Sequence, residues 1–337
     1  PASVKIEMLD ILNQAGVEVW LATYVTGTDV RSNRVKSLEA DNLCVEADYF
    51  VDASGDGVLA SFSGAPCETG DGFGNVQPPA LLFQVDHVNL SKARDALIKE
   101  DALAYNKEEF ERLGLDKDNF APWNNDRFFY CNGFMEQVSK ARAAGDLPDG
   151  FAMDRVLFSP LISEGKVTVL MAKVAGINTT SPGGLSKANK RATSLIPGII
   201  EFLQKYIPGF EDSELMDISP HLGIRETRRL KGAYTLTKND VLHSSGFDDS
   251  IGRGGFFPDV HPPEGGDKSI SDIVYPGKPY QIPFRILYSD TISNLLVAGR
   301  CASASQSAMG SLRVMATCMV TGEAAGTAAT RAAKNRV

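Results

Sequence analysis

Apolar side chains at Val4, Met8, Leu9, Ile11 and Leu12 recur with a helical period, which predicts a helix over Val4–Gln14 with Gly16 as its C-cap. Val17–Tyr24 then reads as a strand. Val35–Ala40 and Leu43–Ala47 read as a hairpin turning at Asp41-Asn42, followed by an apolar strand, Tyr49–Ala53. Ser54–Gly57 is a turn, and Val58–Phe62 is a short helix ended by Gly64 and Pro66.

The middle of the chain has a different texture. Ala80–Val85 and Val167–Ala175 read as strands, Lys92–Leu113 as a helix with acidic and basic faces, and Trp123–Phe134 as an aromatic-rich strand or loop. Gly183–Tyr206 holds a long amphipathic helix, with a break expected at Pro197-Gly198. Gly246–Gly277 is dense in Gly and Pro and reads as a long ordered loop over a site. Regularity then returns. Asn294–Ala298 is a buried-type strand, Gly299–Gly310 a small-residue loop, and Ser311–Ala333 a helix.

Composition narrows the function. The 337 residues, 43% hydrophobic and 23% charged, are those of a globular protein with room for one large or two ordinary domains. No apolar run approaches the length of about 18 residues that a spanning helix needs. A net charge of −8 with few basic clusters argues against nucleic acid and against anionic membranes. Five widely spaced cysteines without a CxxC suggest neither a disulfide framework nor zinc, and the four histidines lack metal-ligand spacing. A cytoplasmic, reducing location is the expectation. The chain begins at Pro1 without a Met or a signal-like run, and so reads as a piece of something longer.

Gly55-Asp56-Gly57-Val58-Leu59-Ala60 fits the G-x-G-x-x-G/A pattern after a strand and before a helix. Two details oppose a dinucleotide fingerprint. The helix stops within two turns, and no strand ending in an acidic residue arrives about 20 residues later. Val51–Gly57 instead resembles the strand-to-turn segment that many FAD proteins place against the cofactor late in the nucleotide-binding domain. Asn294–Ser303 is similar to their second flavin motif, a strand that delivers a glycine and a polar residue. Met309–Met315 opens the last helix, whose unpaired N–H groups would face developing negative charge.

Val51–Pro66, Gly223–Tyr234, Gly254–His261, Tyr280–Arg285 and Asn294–Thr317 together resemble the bacterial FAD-dependent oxidoreductase family, in consistent order along most of the chain. The family's opening strand and GxGxxG turn have no counterpart here. The resemblance implies an α/β chain, α+β overall. Residues 1–66 and 290–337 would form an incomplete Rossmann-like FAD-binding domain, and 67–289 an inserted β-rich substrate domain. It implies FAD in the complete protein, held by Ala53, Ser54, Gly55, Asp56, Gly299, Arg300, Ser303, Gly310, Ser311, Leu312 and Arg313. Without the Gly-rich turn, which carries the pyrophosphate, this chain is expected to lack the cofactor.

Arg225-Glu226-Thr227-Arg228-Arg229 clusters guanidinium forks suited to carboxylates or polyols. The family places this stretch at the substrate cavity, which singles out Arg225 and Arg228. His261, ahead of Pro262-Pro263, is a candidate acid or base, and Tyr280 a second proton donor. His221 and Tyr234 are weaker candidates. The implied reaction is hydride transfer between a polar small molecule, sugar-derived or acidic, and flavin N5, with no metal, while a homo-oligomer stays open. Two alternatives stand: a polysaccharide lyase using the same arginines, and a non-catalytic remnant of the flavoprotein. A Ser hydrolase is disfavoured by the lack of a G-x-S-x-G elbow.

Overall fold

The computed structural model describes residues 2–99, 130–161, 163–263 and 274–335. The expected helix beyond Lys99, most of the aromatic stretch from Trp123, and part of the Gly/Pro-rich loop lie outside these residues.

After the helix Ala2–Gln14, strands β1 (Val25–Arg31), β2 (Arg34–Ala40) and β3 (Leu43–Glu46) form an antiparallel sheet, with β2 and β3 turning at Asp41-Asn42. Val17–Tyr24 is not the strand its apolar content suggested. Leu21 and Tyr24 are 70% and 72% exposed, and no neighbouring strand pairs with the segment. β4 (Phe50–Asp52) leads into the helix Val58–Phe62, then β5 (Cys67–Thr69) and β6 (Ala80–Asp86).

The largest sheet is antiparallel, in the order β10-β6-β9-β8-β7, with β7 Cys131–Gly133, β8 Val156–Pro160, β9 Val167–Lys173 and β10 Glu214–Ile218. The helices Leu90–Lys99, Met135–Ala144 and Pro182–Tyr206 add apolar faces to its core, which includes Phe83, Val169, Met171, Ile196 and Phe202. The Pro182–Tyr206 helix runs through Pro197 unbroken. A proline inside a helix costs about 3 kcal/mol. Burial of Leu195, Ile196, Ile199, Phe202 and Leu203 on one face offsets that cost. Gly198 lets Pro148 approach to where a Cβ would lie 2.9 Å away.

β11 (Arg228–Leu230) pairs with β5, and the helix Lys238–Leu242 follows. β12 (Ser250–Gly254) pairs with β13 (Tyr280–Pro283), so Ser250–Gly254 of the expected loop is a strand. β14 (Leu295–Val297) precedes the helices Gln306–Leu312 and Met315–Asn335. A second core joins Leu236, Tyr280 and Ile282 to Leu296, Met309 and Leu312, and a third gathers Val35, Phe50, Leu59 and Val297. The expected helix start at Ser311 is corrected. The helix opens at Gln306, where the Ser305 hydroxyl accepts from Ala308 N, and Gly310, Ser311 and Leu312 lie inside it.

Candidate functional site

β14 and β4 pair in parallel, Leu295 opposite Phe50 and Val297 opposite Asp52. Two segments more than 240 residues apart, by the separation of Asn294 and Asp48, thus end side by side. The carboxyl ends of parallel strands are where α/β sheets bind ligands. From β4 comes the turn Ser54–Gly57. The buried Asp52 carboxylate shapes it, with Oδ1 accepting from Ser54 N at 3.0 Å and Oδ2 from Ala60 N at 2.9 Å. From β14 comes Gly299-Arg300-Cys301. Gly57 N donates to Cys301 Sγ at 3.3 Å, and burial pushes that thiol up to about 12, so it stays protonated.

The arginine-rich segment clamps the same turn. The Thr227 hydroxyl has acceptors in Gly55 O at 3.1 Å and Asp56 Oδ1 at 2.9 Å, and Arg228 Nε donates to Asp56 O at 3.0 Å. Arg225 donates to Pro78 O at 2.6 Å. Arg229 is a different kind of residue. It is 1% exposed and donates to Ala304 O, to Glu226 Oε2 at 3.2 Å and to Glu68 Oε1 at 3.4 Å. Burial lowers its pKa, and Glu226 and Glu68 oppose that shift. It is a core cross-brace.

Glu226 extends the brace toward the histidine. Its Oε1 accepts from Gln77 N at 2.6 Å and from Gln306 Nε2 at 2.7 Å, and Gln77 Oε1 accepts from His261 N at 3.0 Å. The His261 ring lies between Lys173 and Asp259, with Nδ1 3.3 Å from Lys173 Nζ and Nε2 3.4 Å from Asp259 Oδ1. Asp259 Oδ2 accepts from Arg313 at 2.6 Å. Burial pushes the Asp259 carboxyl up, but His261, then Arg313 and Arg225, outweigh it and bring it down to about 2. Arg313 is lowered by burial against the attraction of Asp259 and Glu226.

The structure therefore gathers Arg225, Arg313 and His261 around Asp259, and Arg228 with Arg300 around Asp56. Ala53, Ser54, Asp56, Gly299 and Arg300 retain exposed surface at the strand ends. Ser303, Gly310, Ser311 and Leu312 are buried in the protein's own packing. A Cβ on Gly310 would lie 2.8 Å from Asp259 O, so that glycine seats the His261 loop. Tyr280 is fully buried. Its hydroxyl meets Ser311 Oγ at 2.8 Å, and burial raises its pKa, so the structure sets it in the second core.

Sequence reasoning missed Lys173, Asp259 and Gln77. A lysine closing an apolar strand and an aspartate two residues before the candidate histidine were visible signals. Gln77 offered none, because its partners are 149 and 184 residues away.

Arg300 Nε and Arg313 Nε are buried and without a hydrogen-bond partner. Each guanidinium already has one acidic contact, Arg300 to Asp56 at 3.6 Å and Arg313 to Asp259. Arg300, an unsatisfied cationic donor just past β14, fits an anionic, oxygen-rich group such as the FAD phosphates, while Arg313 lies beside Asp259. Among the described residues no His/Cys/Asp/Glu group could hold a metal, and no helix is long and apolar enough to cross a membrane.

No curated protein sequence matches the chain. Among solved structures, a geranylgeranyl bacteriochlorophyll reductase-like protein from Thermoplasma acidophilum is 13% identical, with a TM-score of 0.40 over 97% of this chain and 55% of its own. A triple mutant of the flavin-dependent brominase Bmp2 is 12% identical, with a TM-score of 0.36 over 96% and 57%. The chain spans little more than half the length of either. The FAD dependent oxidoreductase family matches residues 1–337, and the chain belongs to that family.

Proposed function

We propose that the protein oxidises or reduces a polar, oxygen-rich small molecule, with His261 handling the proton. The observation that carries this is the His261 ring held between Lys173 and Asp259, next to Arg313 and its unpartnered Nε. FAD, when bound, supplies the two-electron redox chemistry. Ser54, Asp56, Gly299 and Arg300 would hold it, with Arg300 toward its phosphates. These 337 residues contain no Gly-rich dinucleotide turn, so FAD held by them alone is held weakly.

In the arrangement on hand, Lys173 as an ammonium can only donate, so Nδ1 accepts and Nε2–H points to Asp259. A substrate hydroxyl or amine entering beside Lys173 would take over the contact at Nδ1 and leave its proton there. Asp259 then stabilises the imidazolium that forms. Arg225 and Arg228, which also hold Pro78 O and Asp56 O, would orient substrate oxygens.

Flavin absorbance at about 450 nm, read during FAD titration, tests the cofactor half of this reading. Binding should be saturable, and Arg300→Met should weaken it by about 10-fold or more. His261→Gln should leave binding intact and slow turnover by about 100-fold or more. Failure to bind FAD even when a Gly-rich dinucleotide unit is joined ahead of these residues would overturn it.

A further inference from the structure

The Pro182–Tyr206 helix presents a face that no core uses. Ala188, Ala192, Leu195 and Ile199 turn inward, while Lys187, Lys190 and Arg191 stand on the other side at i, i+3 and i+4. That side does not front open solvent alone. It forms one wall of a cleft of about 1110 Å³, and the facing wall includes Phe151, Val174 and Ile177. The volume is slightly above the range of about 300–1,000 Å³ usual for small-molecule sites. No Asp or Glu is among the described lining residues, although the whole chain carries a net charge of −8. Lys187 and Lys190 form no ion pair with a described residue.

Arg191 is placed rather than loose. It donates to Asp149 O at 2.5 Å across the cleft, and a Cβ on Gly150, at φ +73°, would collide with its guanidinium. The facing wall continues β9. Val174 follows Lys173, the neighbour of the His261 ring, and Gly176 N donates to Pro263 O at 3.3 Å. The wall of the cleft is thus tied to the loop that carries His261.

We propose that this cleft binds an organic dianion, with an apolar body against Phe151, Val174 and Ile177. Its two carboxylate groups, about one helical turn or 5–6 Å apart, meet Lys187, Lys190 and Arg191. The cleft would receive the anionic end of the substrate; that the ligand is substrate rests on the redox reading above, while the binding itself does not.

Calorimetric titration of the full chain with isophthalate, whose two carboxylates flank one apolar ring, tests this. Phenyl phosphate and neutral isophthalamide run in parallel. Isophthalate should bind saturably and more tightly than phenyl phosphate, whose single anionic group cannot span the basic row, and isophthalamide should not bind. Lys187→Gln/Lys190→Gln should weaken binding by about 10-fold or more, with an unchanged melting temperature, because both side chains are exposed. Raising salt from about 20 to 300 mM should weaken it further. No saturable binding of isophthalate, phenyl phosphate binding at least as tightly, or binding that the double variant leaves unchanged, would overturn the proposal. Anion binding in a protein that never takes up FAD would uphold the cleft and count against the redox reading, so the two failures are distinguishable.

Discussion

Asp259 accepts a hydrogen bond from Arg313 at 2.6 Å through Oδ2, while its other oxygen lies 3.4 Å from His261 Nε2. One carboxylate therefore ties the Gly-rich loop to the segment between the last two helices and orients the ring that faces Lys173.

That pairing makes stability depend on acid. The Asp259 pKa falls from 3.8 to about 2 on folding, so the folded state favours the charged form. Its contribution is present above the unfolded value and is lost as pH falls through the folded one. It amounts to at most about 2 kcal/mol, less for screening at a side chain that is 31% exposed. Urea unfolding of Asp259→Asn between pH 2 and 5 should show a shallower acid leg than the unmodified protein. Parallel acid legs would exclude the linkage.

Glu226 sits at the centre of a buried network and has no solvent to fall back on. Glu226→Ala leaves Arg229 short of its nearest charge and strips Gln77 N and Gln306 of their acceptor. Breaking a buried pair from one side costs about 3–5 kcal/mol. Glu226→Gln/Arg229→Met should recover part of that in denaturant midpoints. A double variant no more stable than Glu226→Ala would mean that the pair is not coupled.

Two helical glycines should respond to alanine with opposite signs. A Cβ at Gly322 meets nothing within 4 Å, so helix propensity dominates and Gly322→Ala should stabilise by up to about 1 kcal/mol. At Gly310 the Cβ would stand 2.8–3.0 Å from Asp259 backbone atoms, which cannot rotate away. Gly310→Ala should cost about 1–3 kcal/mol and loosen the His261 loop. Melting temperatures of the pair check the contrast, and equal shifts would show that the loop does not rest on Gly310.

Tyr280→Phe separates a core hydroxyl from a proton donor. Ser311 keeps its bond to Phe256 O, so about 1 kcal/mol should be lost with turnover nearly unchanged. A drop in turnover of about 100-fold with normal stability would return Tyr280 to the chemistry.

Local patterns carried much of this structure. The β2–β3 hairpin, the turn at Ser54–Gly57, the Val58–Phe62 helix and the family itself were legible, because each depends on neighbours in sequence: strand alternation, a glycine at φ +59°, a helix too short for a crossover. The continuous helix through Pro197 was not legible, since only the core it packs against offsets the lost hydrogen bond. The helix start at Ser305 escaped for a related reason. Small residues from Ala302 to Gly310 read as a loop until packing against the 255–261 segment gives them a partner. The sequence by itself determined the composition of the site: arginines, a loop histidine, and two strand ends with small polar turns. Only the tertiary structure decided which of these meet. It buried Arg229 and Tyr280 and brought Lys173 to His261 across 88 residues. Such pairings depend on side chains converging from distant strands, and no local period encodes that.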